Sequence, residues 1–194
     1  MVSLVSAQTQ RDSITFDPQK QLNAAQSILS GNFGKKVTLG GYGEITYNQP
    51  EALNGELDVQ RLVLLVGYKF NDKAQFVTEI EFEHVDEVYV EQAFVNYSIG
   101  DNTSLRGGLM LVPMGIVNEY HEPTTFNGTE RPSIDNVIVP TTWREIGVGV
   151  TGRFPEISLG YQAYVFNGFK STTPDGEGGV NGVLKGSNAL RGGR

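Results

Sequence analysis

The chain has 194 residues, 24 of them glycine, no cysteine, and a formal net charge of −7 with a pI near 4.8. This acidic balance excludes the clustered basic face of a nucleic-acid binder, and no apolar run approaches the roughly 18 residues of a membrane helix. Without cysteine there is no disulfide scaffold, so ladder hydrogen bonds and packing must hold the fold.

In chain order, Met1 to Ala7 lacks a basic start, but Val5-Ser6-Ala7 before Gln8 is a small-residue cleavage pattern. Residues 1–7 therefore read as the remnant of a signal peptide. Residues 8–35 read as a periplasmic segment, in which Leu22, Ala24, Ala25, Ile28 and Leu29 fall at near-helical spacing ahead of Gly31. A short helix within Asp17 to Leu29 is the expectation.

From Lys36 the period changes to two. Val37, Leu39, Ile45 and Tyr47 share one face of the first strand, Thr38, Tyr42, Glu44 and Thr46 the other. A loop with Pro50, Asn54 and Gly55 leads to Leu57–Phe70, and Asn71-Asp72-Lys73 turns tightly into Ala74–Val85. There Phe76, Thr78, Ile80 and Phe82 oppose Gln75, Glu79, Glu81 and Glu83, a pattern that no strand buried on both faces carries. Centring the turn on Asp72 sets Arg61 opposite Glu83, Val63 opposite Glu81 and Leu65 opposite Glu79. Leu62 to Val66 is apolar on both faces, so the polar side of the sheet must be covered there, by the long loop or by the N-terminal helix.

After the break at Asp86-Glu87, Val88–Ile99 is the next strand, and Asp101-Asn102-Thr103 turns into Ser104–Val112. Pro113 to Thr141 has no sustained alternation and contains Pro123, Pro132 and Pro140, so it reads as a loop. Trp143–Phe154, a turn at Pro155-Glu156 and Ile157–Phe169 complete the pattern, and Lys170–Arg194 is rich in Gly and Ser.

Tight connections thus alternate with longer ones, as in outer-membrane barrels with short periplasmic turns and long outer loops. Tyr68, Phe70, Tyr97, Phe154 and Tyr161 fall near the tight turns and Tyr47, Phe82 and Tyr89 near the longer loops, two aromatic belts of the kind found at membrane interfaces. The expected fold is all-β, an antiparallel transmembrane β-barrel with a short N-terminal helix. About seven strands are legible in residues 36–194. That number is odd, whereas bacterial single-chain barrels are even-stranded, so the sequence reads as the N-terminal part of a truncated barrel.

Motifs for chemistry are sparse. Gly147-Val-Gly-Val-Thr-Gly152 has the letters of a dinucleotide fingerprint, but alternation runs through it where a turn and a helix would be needed. His84 and His121 lack the spacing of a zinc site, and no serine sits in a nucleophile elbow. No catalytic residues, metal or cofactor are expected, and the protein is not read as an enzyme. Carboxylates in a row suit a hard cation, but a solvated wall explains Glu79, Glu81 and Glu83 without one.

Arg106-Gly-Gly-Leu-Met-Leu-Val-Pro-Met-Gly115, Thr129-Glu-Arg-Pro132 and Arg144-Glu-Ile-Gly-Val148 together resemble motifs of the phosphate-selective porin O and P family. They match its glycine strand entering the long loop, the Glu-Arg stretch inside that loop, and the opening of the next strand. The resemblance covers about residues 36–170. It implies a Gram-negative outer-membrane porin of about sixteen strands, usually a homotrimer in the lipid bilayer, whose third outer loop, here Met114 to Thr141, folds inward to narrow the pore. Candidate pore-lining residues are Arg61, Glu79, Glu81, Glu83, Arg106, Arg144 and Arg153. Candidate constriction-loop residues are Glu119, His121, Glu122, Glu130, Arg131 and Asp135. Family members that select phosphate line the channel with Arg and Lys, whereas acids dominate here, so a general porin passing small hydrophilic solutes or ions fits better. The rival reading is a plugged barrel that serves a structural or partner-binding role within a surface assembly.

Overall fold

The computed structural model describes residues 23–30, 36–115, 117–125, 132 and 142–167. Within them a short helix, α1 (Ala24–Ser30), precedes seven strands: β1 (Val37–Asn48), β2 (Glu56–Lys69), β3 (Ala74–Glu83), β4 (Glu87–Ser98), β5 (Thr103–Leu111), β6 (Arg144–Phe154) and β7 (Leu159–Phe166). They form one antiparallel sheet in the order β1 to β7, each strand paired with its sequence neighbour and the sheet not closed. The remnant at 1–7, residues 17–22 of the expected helix and the tail Lys170–Arg194 lie outside the described residues.

Register follows from alternation and tight turns. Arg61 pairs with Glu83, Val63 with Glu81 and Leu65 with Glu79, as the turn at Asp72 predicts. Asn71 fixes that turn, its Oδ1 accepting from the Lys73 and Ala74 amides at 2.9 Å each. Strand β3 stops at Glu83, two residues before its apolar pattern does, because His84 and Val85 take positive φ (49° and 75°) to reverse the chain. A β-branched residue in that region is strained, and the turn takes His84, Val85 and Asp86 where the pattern suggests Asp86 and Glu87.

The two faces differ completely. On one, Leu62 and Leu64 of β2, Val88, Val90 and Val95 of β4, Leu105 of β5, Ile146 and Val148 of β6 and Val165 of β7 are exposed. Nine exposed large apolar side chains on one face of the sheet exceed the singly scattered apolar residues of an ordinary protein surface. The other face is covered by α1, whose Ala25 and Ile28 pack with Val77, Phe94 and Met110, with Leu29, Leu65, Tyr164 and Phe166 at the margin. The helix thus covers the apolar polar-side stretch of β2. Gly67 allows it so close, since a Cβ there would overlap Ile28 Cγ2.

A bulge in the β3–β4 pairing corrects one expectation. Glu79 pairs with Gln92 while Ile80 pairs with Val90, so Glu91 is the extra residue. The slip puts Tyr89 opposite Glu81 on the covered face, not in an apolar belt.

Candidate functional site

The covered face gathers most of the charged side chains singled out in the sequence. Arg61 stands at its edge, opposite Glu83 as expected, but its guanidinium reaches past that partner. Its Nε donates to Glu44 at 2.8 Å and its Nη1 to Glu81 at 2.8 Å. Glu83 is half-buried.

Glu79 and Glu81, expected as a solvated wall, are instead buried, with 1% and 3% of their surface exposed. The reason is tertiary, since α1 lies over β2 and β3 and the long loop carries His121 and Glu122 to the same face. Glu79 keeps one partner, the Gln92 Nε2 at 2.7 Å, while its Oε1 has none among the described residues.

The described part of the long loop lies on the face that carries α1. Its described part forms two 3-10 turns, Asn118–Tyr120 and Pro123–Thr125. Asn118, fully buried, clamps the loop's two ends: its Nδ2 donates to the Val112 and Trp143 carbonyls at 2.6 and 2.8 Å, and its Oδ1 accepts from the Trp143 amide at 2.8 Å. Beyond the clamp, His121 Nε2 lies 2.7 Å from Glu91 Oε2, and Arg144 Nη1 donates to the other oxygen of Glu91 at 2.9 Å. Burial on its own would favour neutral imidazole; Glu91, then Glu79 and Glu122, outweigh it and raise His121 from 6.5 to about 9. Arg144 also lies over the Tyr89 ring, 5.6 Å from its centre.

Glu122 extends the loop's reach to the helix, accepting a hydrogen bond from the Ala24 amide at 2.7 Å. That amide is one of the unsatisfied donors of a helix start. Asn23 and Gln26 satisfy two others reciprocally, Gln26 N donating to Asn23 Oδ1 at 2.9 Å and Asn23 N to Gln26 Oε1 at 3.3 Å. Glu119 points the other way, accepting from Gln162 Nε2 of β7 at 2.8 Å. One loop segment therefore ties the helix, β4 and β7 together.

Towards the tight turns the same face changes character. Arg106 and Arg153 border a polar cavity of about 630 Å³ between α1, the loop and β3 to β7. Arg153 is exposed, whereas Arg106 is half-buried. Glu130, Arg131 and Asp135 lie outside the described residues. Among the described residues no group of three or more His, Cys, Asp or Glu side chains could hold a metal ion.

Sequence reasoning missed Glu91, Asn118 and Glu145. Glu145, buried on β6 beside Trp143, whose Nε1 lies 3.4 Å from its Oε1, was visible as a charge in an apolar strand. Glu91 was hidden by the bulge, and Asn118 by its loop.

No family model matches the chain. A protein of Aquifex aeolicus (strain VF5), described as an uncharacterized protein, is 41% identical over 164 residues. The match takes in 78% of this chain but 36% of the relative, so the chain spans about a third of that protein's length.

Proposed function

We propose that this chain is part of an outer-membrane, porin-like barrel of the phosphate-selective porin O and P type in a Gram-negative bacterium. It passes small hydrophilic solutes or ions passively, through a lumen narrowed by the inward-folded third loop. The observation that carries the reading is the division of the sheet into an exposed apolar face and a charged, loop-covered one. Lipid on one side and water on the other is the environment in which that division is stable. Aromatic pairs at the tight-turn end, Tyr68 with Phe70 and Phe154 with Tyr161, suit a membrane interface. Among the described residues the outer edges of β1 and β7 have no partner strand, which suits part of a larger barrel, and the relative's greater length leaves room for one.

Planar-bilayer recording of the full-length protein tests this. Stable single-channel steps are expected, with the protein recovered from the outer-membrane fraction and migrating as a homotrimer. The packing of α1 on the covered face favours a second reading, a plugged barrel that serves a structural or partner-binding role. Recovery from the outer membrane without conductance would select it.

A further inference from the structure

We infer that the polar cavity beneath the long loop binds a small solute carrying a single carboxylate, with the Arg106 guanidinium as its anchor. The inference deepens the porin reading and rests on it for the route by which solute arrives.

Arg106 is unlike the other well-placed cations of the sheet. Arg61 pairs with Glu44 and Glu81, Arg144 with Glu91, and Lys69 with Asp72. Arg106, though half-buried, has only neutral partners among the described residues. Its Nε donates to Asn96 Oδ1 at 3.1 Å, its Nη1 lies 3.4 Å from the Tyr164 hydroxyl, and its guanidinium sits 5.4 Å from the centre of the Phe94 ring. A partly desolvated charge without a counterion is unfavourable. Neutral hydrogen bonds and the ring fix the plane of the fork without neutralising it, which is the preparation a carboxylate needs for paired N–H contacts. Orientation fixed in advance spares the ordering cost on binding.

The cavity's volume, about 630 Å³, falls within the roughly 300–1,000 Å³ of small-molecule sites. Asn96, Ser104 and Arg153 also line it and can exchange hydrogen bonds with hydroxyl groups on the solute. Asp101 and Glu119 line the same cavity. Their charges oppose a phosphate dianion more than a monocarboxylate, whose polar tail they can accept hydrogen bonds from.

Titration calorimetry on the detergent-solubilised full-length protein, with sodium gluconate and with sodium phosphate at equal ionic strength, decides the matter. Gluconate is expected to bind more tightly than phosphate. Arg106→Gln should weaken gluconate by about tenfold or more, the effect of losing one charge-assisted pair, with Arg106→Lys restoring part of it. The double variant Asp101→Asn/Glu119→Gln, which keeps a carbonyl oxygen at position 119 to accept from Gln162 Nε2, should strengthen phosphate relative to gluconate. No gluconate binding, binding unchanged in Arg106→Gln, tighter phosphate in the parent protein, or an unchanged ratio in the double variant would each overturn the inference. A protein that binds gluconate but never conducts would sink the porin reading alone.

Discussion

Glu122 and Ala24, 98 residues apart, are joined by a hydrogen bond of 2.7 Å from the Ala24 amide to the Glu122 carboxylate. The long loop and the helix on the covered face are therefore one mechanical unit, and neither can leave without exposing the other's unsatisfied groups.

Glu122→Ala should loosen both. A buried hydrogen bond to a charged group contributes about 1.5–3 kcal/mol, so hydrogen exchange should accelerate in residues 23–30 and 117–125 together. Acceleration in the loop alone would show that the helix is held by its apolar packing only.

The helix can also be displaced from beneath. Gly67→Ala places a methyl where Ile28 Cγ2 sits, so α1 should lose protection while the β2–β3 pairing persists. Adding Ile28→Ala opens the space again and should restore helix protection in part, though the shorter side chain buries less apolar surface. Failure of that rescue would refute the steric account.

The apolar face offers a test of what surrounds it. Val148, 62% exposed in mid-β6, would tolerate Arg within about 0.5 kcal/mol if it met water. Against lipid near the midplane, Val148→Arg should cost about 2–4 kcal/mol. Folding titrations in phospholipid vesicles, read by a heat-modifiable gel shift, distinguish the two.

The His121–Glu91 pair gives the loop a pH dependence. The folded pKa of about 9 lies above the ordinary 6.5, so its contribution is fully present below about 6.5 and is lost as pH rises through about 9. Proteolysis within residues 117–125 should therefore quicken across that interval. His121→Gln should be cleaved at a rate that varies far less with pH, since Glu79, Glu91, Glu122 and Arg144 remain without their titrating partner. A parent-like pH profile in the variant would assign the effect elsewhere.

Alternation and short turns made the strand order and even the residue pairs of β2 and β3 legible, because both are local properties of the chain. The chemistry was less so. Arg61 and Glu81 were visible as charges on one face, but the diagonal reach of Arg61 to Glu81 and its pairing with Glu44 directly across in β1 depend on how the long β1–β2 connection sets that register. Tyr89 was assigned to the wrong face because a single-residue bulge inverts everything before it in β4. The burial of Glu79 and the clamp by Asn118 arise from segments far apart in sequence, which no periodicity encodes.

Strict nearest-neighbour pairing has a kinetic consequence. Each hairpin from β1 to β5, and that of β6 with β7, closes over a short contour, so the sheet can grow in chain order with little loop-closure entropy at each step. Only the β5–β6 junction must bring together segments separated by the long loop, from Leu111 to Arg144. That junction is where growth pauses. Asn118, which bonds both Val112 and Trp143, shortens the segment that must be closed, so its replacement by Ala should slow refolding as well as weaken the folded state.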